Sequence, residues 1–257
     1  MDFQGKGRPL SGNDLNEVCA TLRATSPQVW AVLSVETRGF GFLPDRRPQI
    51  LFERHKFHEL TSGRFSAAHP DISNPHAGGY AGGAAEYPRL ERAISLDRPA
   101  ALQSASWGLG QVMGFNHKRV GFATVDALVA AMVEDERSQL LAVAHFITAS
   151  RLDGALRDRD WEAFARGYNG PDFEKNDYAN RLEAAHARLT LLLPQLRLRT
   201  GQAALSYLGL DPGSIDGLRG RRTTSALNQF QEQRGLPVTG ELDAATEARL
   251  LAEAFPV

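Results

Sequence analysis

Glu36 closes an almost wholly apolar run, Val29-Trp30-Ala31-Val32-Leu33-Ser34-Val35, and is followed by Thr37-Arg38-Gly39. Burial among such neighbours penalises a charged carboxylate. Its pKa is expected to rise from about 4.3 toward roughly 6, so that near neutral pH it can hand a proton to a leaving oxygen. The competing role for Glu36 is a surface helix-end glutamate paired with Arg38. Farther along come a glycine-rich turn, Ser106-Trp107-Gly108-Leu109-Gly110-Gln111, and the pair Tyr168-Asn169. Glycines there let backbone approach a ligand ring closely. Gln111 can orient an amide group or a water, or brace the turn. Trp107 can stack on a ring or fill the core, and Tyr168 and Asn169 can meet a ligand or pack on the Glu36 helix. With one isolated acid, a polar cleft and a distinct C-terminal segment, the chain reads as an enzyme that cuts an anchored polymer.

Other chemistries fit less well. The Ser106 turn lacks the Gly-Lys-Ser/Thr ending of a phosphate loop and the spacing of a dinucleotide site. Seven histidines include His55 and His58 three apart, but no His-Glu-x-x-His and no cysteine cluster occurs, so no metal and no cofactor are expected. Cys19, the single cysteine, sits in phase with Leu15, Val18 and Leu22 on an apolar helix face and reads as a core thiol. One cysteine also means that no intrachain disulfide is needed.

The net charge is -1, and residues 196–257 hold seven arginines and seven acids, so neither part carries the basic excess of a nucleic-acid binder. No apolar run reaches membrane-spanning length, and the first residues lack the apolar stretch of a secretory leader. Synthesis in the cytoplasm without a membrane anchor is expected. No coiled-coil pattern calls for a partner, so a monomer is expected.

The elements that must place these residues follow from periodicity. Ser11 caps a helix over 14–23, and the run ending at Glu36 is a short buried helix. Ile50-Leu51-Phe52 reads as a strand that pairs back toward 40–43. Residues 61–88 form a long loop rich in Gly, Asn, His and Pro. Short helices are expected over 87–97 and 99–104, and one central helix over 125–149 with Met132 in the core. A helix from 161 stops at Gly167, and another over 178–193 ends at Pro194. Helices at 200–208, 223–234 and 242–254, separated by Gly-rich turns, make a small self-contained unit.

Residues 200–257 resemble the type 1 peptidoglycan-binding domain. The likeness rests on Asp216-Gly217, Phe230-Gln231, Gly235-Leu236-Pro237 and Thr239-Gly240 in order, with Ala203, Leu205, Thr223 and Thr246 between and around them. Residues 10–195 resemble the N-acetylmuramidase domain found in many bacteriophage endolysins. The matching stretches are Val35–Gly39, Ile50–His55, Gly78-Gly79-Tyr80, Ser104–Gly114 and Gly167–Gly170. This part is also similar, distantly, to goose-type lysozymes and lytic transglycosylases.

The resemblance implies a mainly α chain: a lysozyme-like α+β catalytic domain with a small β-hairpin region over 1–196, and a small three-helix domain over 197–257. It implies cleavage between N-acetylmuramic acid and N-acetylglucosamine, with Glu36 as the acid. A second carboxylate, acting as base, would lie about 6.5–9.5 Å away in an inverting enzyme. Glu53 is favoured for it, with Asp45 and Asp71 as alternatives. Ser106, Gln111, Tyr168 and Asn169 are the expected substrate contacts. The partner would be bacterial peptidoglycan, reached after release of the protein by a holin. Residues 1–196 alone are expected to keep the chemistry and lose wall affinity. Two other readings stay open: a lytic transglycosylase that leaves anhydromuramic ends, and a non-catalytic wall-binding protein.

Overall fold

Short polar residues set several of the helix starts. Ser11 caps α1 (Gly12–Leu22) in a reciprocal box, its hydroxyl accepting from the Asp14 amide while the Asp14 carboxylate accepts from the Ser11 amide. In α2 (Ser26–Glu36) Pro27 occupies the first turn, where a missing N–H is harmless. The computed structural model describes residues 3–36, 39–170 and 177–256, except the side chain of Glu36. Val29 through Leu33 are all buried, so α2 is apolar around its circumference and runs through the core rather than over it. Cys19 is half-buried at the edge of that core, and desolvation pushes its thiol up from the ordinary value.

β1 (Ile50–Phe52), β2 (Ala105–Trp107) and β3 (Val112–Met113) form one antiparallel sheet in that order, with Leu51 opposite Ser106 and Trp107 opposite Val112. The expected pairing of β1 with 40–43 is not what forms. Phe42 makes only an isolated bridge to Pro48, which has no N–H to extend a ladder, and β1 takes β2 as its partner instead. α3 (Arg54–Leu60) leads into the long loop, and α4 (Glu86–Leu96) and α5 (Arg98–Gln103) return the chain to β2.

The expected central helix is two helices. α6 (Val125–Glu134) stops at Asp135, whose backbone is extended and whose carboxylate caps α7 (Glu136–Ala149) by accepting from the Ser138 amide. Asp135 bridges Arg8 in parallel, and the Glu136 amide donates to the Arg8 carbonyl. Met132 is fully buried. After α8 (Asp153–Asp158), α9 (Trp161–Asn169) runs through Gly167 instead of stopping there, because Leu152 packs against the bare Cα and the helix is held by its neighbours. α10 (Tyr178–Leu191) then lies along α2.

α11 (Leu196–Tyr207), α12 (Arg221–Gln233) and α13 (Ala244–Ala254) enclose their own small core of Leu205, Leu227, Phe230 and Leu250. Gln231 is buried beneath the turn at Thr239-Gly240, accepting from both amides and donating to Thr246 Oγ1. A third cluster lies on the seam between the two parts, where Phe40 and Phe42 meet Ala203, Tyr207 and Ile215. The fold is therefore mainly helical with one small sheet, as the resemblance implies.

Candidate active site

Glu36 is the last residue of α2; its side chain lies outside the described residues. Val35 before it and Gly39 three residues after it are each held by an arginine. Arg181 of α10 donates to the Val35 carbonyl at 3.0 Å. Beyond it, Arg199 of α11 donates to the Gly39 carbonyl through Nε at 3.0 Å and also through Nη2. Two residues on, the Gly41 amide donates to Glu136 Oε1 at 2.9 Å. A side chain at Gly41 would collide with the Gln139 amide, so the segment lies directly on α7.

The glycine-rich turn joins β2 to β3 and packs on the same helix. Leu109 N donates to Gln139 Oε1 at 2.7 Å, and a Cβ on Gly110 would strike Val143. Ser106 donates to Gln111 Oε1 at 2.7 Å, and Gln111 Nε2 donates to the carbonyls of Gly108 at 2.9 Å and Gln49 at 3.2 Å. Ser106 and Gln111 thus spend their polar atoms bracing the hairpin, with Gln111 itself at φ 48°. Trp107 is fully buried and donates to the Leu102 carbonyl, which makes it core. Tyr168, near the end of α9, donates to the Gly110 carbonyl at 3.1 Å and stacks on Phe164. Asn169 ends α9, half-buried, with no side-chain hydrogen bond among the described residues.

Glu53 follows β1, and its amide donates to the Ser104 carbonyl. Its carboxylate Oε2 accepts from the Tyr80 hydroxyl at 2.8 Å and lies 3.1 Å from His55 Nδ1, close enough for an ion pair but without hydrogen-bond alignment. Burial, then the bond to Glu53, pushes the Tyr80 phenol up to about 12. The loop carrying Tyr80 is held by Glu86, which is fully buried and accepts from the amides of Ala81 and Gly82 and from Arg89. Asp45 caps its own turn and pairs with Arg47, and Asp71 pairs with Arg92 on the surface. Both are committed to arginines, whereas Glu53 accepts at Oε2 and its Oε1 has no hydrogen bond among the described residues.

The structure thus gathers Ser106, Gln111 and Tyr168 around one hairpin and sets Glu53 one strand away. An open cleft of about 690 Å³ lies elsewhere: between Phe40, Phe42 and Gln49 on one side and Asp211, Ile215 and Arg222 on the other. Gln49 links the two regions, donating to the Phe40 carbonyl while its own carbonyl accepts from Gly108 and Gln111. Among the described residues no group of three or more His, Cys, Asp or Glu side chains is placed to hold a metal ion, and no helix is long and apolar enough to cross a membrane.

Sequence reasoning missed Gln49, Gln139, Glu136, Arg181 and Arg199. One signal was present: Glu136 and Gln139 fall in phase with Leu140, Val143 and Ile147, so polar side chains occupy positions of the buried stripe.

The N-acetylmuramidase family model matches residues 25–190, from the start of α2 to the end of α10. The chain belongs to the N-acetylmuramidase family. It is a glycoside hydrolase, and Glu36, Glu53, the hairpin and Tyr168-Asn169 all fall inside the muramidase match. A second family, described as "Putative peptidoglycan binding domain", matches residues 195–250, which span α11, α12 and part of α13. The muramidase is also similar to a solved structure, the crystal structure of Burkholderia AP3 phage endolysin, at 41% identity and a TM-score of 0.66 over 71% of this chain and 72% of that one. No curated protein sequence matches the chain.

Proposed function

We propose that the protein is a phage endolysin that hydrolyses the β-1,4 bond between N-acetylmuramic acid and N-acetylglucosamine in peptidoglycan. Residues 1–196 form the cutting domain and 197–257 the wall-binding domain. The observation that carries this reading is the position of Glu36 at the end of a helix buried on all sides, inside the muramidase match.

Glu36 protonates the glycosidic oxygen, and the bond breaks toward an oxocarbenium-like sugar. Glu53 is the base that takes a proton from the incoming water, which completes hydrolysis. Tyr80 steadies it with a hydrogen bond to one oxygen and leaves the other for the water. Asn169 meets the substrate from the end of α9. Ser106, Gln111 and Tyr168 shape the hairpin beneath it, their hydroxyl and amide groups bonded within the fold. The protein acts as a monomer, requires no metal or cofactor, and reaches the wall after a separate holin opens the membrane.

Mass spectrometry of digested peptidoglycan tests the reading. Reducing muramic ends are expected. Ends lighter by one water would make the enzyme a transglycosylase and return Glu53 to a structural role. Glu36→Gln should leave the melting temperature unchanged and abolish product; undiminished product would remove Glu36 from the mechanism.

A further inference from the structure

We propose that Arg199, which belongs to the C-terminal module, is a positioning residue for Glu36, so that the wall-binding domain completes the cutting site. The inference rests on the reading of Glu36 as the acid. Arg199 is fully buried although it is an arginine. Its guanidinium donates to both oxygens of Glu136, at 2.5 and 2.6 Å, and twice to the Gly39 carbonyl. Its Cζ lies 5.4 Å from the centre of the Trp30 ring of α2 and 5.1 Å from that of Phe40. Glu136 passes the restraint on, accepting from the Gly41 amide at 2.9 Å and from the Leu10 amide at 2.9 Å. One side chain of the module therefore contacts the helix that carries Glu36 and, directly and through Glu136, holds Gly39 and Gly41.

The chemistry makes that geometry matter. A general acid works only if its proton points at the leaving oxygen, and a displacement of about 1 Å can lower the rate roughly a hundredfold. The peptide at Val35 is tied by Arg181 from within the cutting domain. The peptide at Gly39 is tied by Arg199 from outside it. Without the second tie Gly39 loses its hold on α11, and Glu36 keeps only the restraint at Val35. Four N–H bonds from three nitrogens in a fixed plane are used at once, which a lysine ammonium cannot reproduce.

The test uses full-length protein and soluble glycan oligomers cut from purified peptidoglycan, so that wall affinity does not enter the rate. Arg199→Lys keeps the charge and loses the planar fork. The double variant Glu136→Gln with Arg199→Met removes both charges together and leaves neither buried alone. In both, kcat should fall roughly ten- to a hundredfold, with KM within about twofold, with Arg199→Lys the milder, and with pelleting on sacculi retained. Arg249→Ala, elsewhere on the module, should leave kcat unchanged. A kcat within about twofold of the parent in either folded variant overturns the positioning role. Failure of both to fold also overturns it, because the pair would then serve the fold alone. Glu36→Gln is run beside them: if it stays active, the acid assignment has failed, whatever the Arg199 variants do.

Discussion

Glu86 and Glu136 are both fully buried, and both accept from backbone amides and from an arginine. Glu86 takes its arginine from the next turn of its own helix, and that guanidinium still reaches solvent. Glu136 takes Arg199 from the other domain, and neither side chain is exposed at all. The first glutamate holds a loop beside Glu53; the second holds the chain beside Glu36. A buried carboxylate with a local partner that keeps some exposure, 11% for Arg89, is a repair to one loop. A buried carboxylate with a dry partner 63 residues away ties two domains into one body.

The sharpest way to break this comparison is to remove each carboxylate. Glu136→Ala leaves Arg199 buried and unpaired and should destabilise the whole protein by about 3–5 kcal/mol. Denaturant unfolding measures it, and a loss under about 1 kcal/mol would deny that the seam is a structural joint. Glu86→Ala should cost less, about 1–3 kcal/mol, because Arg89 and the loop amides can turn to water. Its mark should be local: proteolytic nicking within 78–85 while the remainder stays protected. Equal and global losses for both variants would erase the distinction.

Tyr80→Phe removes one hydrogen bond to Glu53 and should change stability by only about 0.5–1.5 kcal/mol. Its effect on cutting should exceed its effect on folding, and the reverse result would take Glu53 out of the site.

A finer test is alkaline pH. Tyr207, on the seam, donates to the Gly7 carbonyl at 2.7 Å, and burial, reinforced by the Glu136 charge, raises its phenol well above the ordinary value of 10.0. Tyr80 is raised to about 12. In each case the folded state keeps a proton that the unfolded chain releases. The stabilisation is therefore whole below pH 10.0 and fades as pH rises past it, for Tyr80 across the window up to about 12. Tyr207→Phe should flatten the fall in melting temperature above pH 10.0 more than Tyr80→Phe does, because Tyr80 is half-exposed. An unchanged slope in Tyr207→Phe would mean that the seam is open to water.

The helices were largely legible, because each has its own cap and apolar stripe: Ser11 before α1, Thr124 before α6, and the inward Ala226, Leu227 and Phe230 of α12. The strand at Ile50 was legible as an element but not in its pairing, since partner choice depends on a segment 55 residues on. The break at Asp135 was hidden inside a continuous apolar period. A single capping aspartate reset the phase, and that reset is what turns Glu136 into the seam. Arg199 could not be read at all: an arginine in a helix is ordinarily solvated, and only the far-away Glu136 and Gly39 make it otherwise. The candidate site was legible where motifs are local, at the Ser106 hairpin and Tyr168, and illegible where its support is long-range.

The joint at Arg199 also fixes a reach. An anchor on a flexible linker lets its cutting head sweep a volume around each point of attachment. Here a dry ion pair joins the two parts, so on the proposed reading an attached molecule presents Glu36 at one offset and one angle from the place it grips. The spacing of the wall would then select which bonds are within range. Having cut them, the enzyme would have to let go and land again, so release would limit how fast a wall is opened.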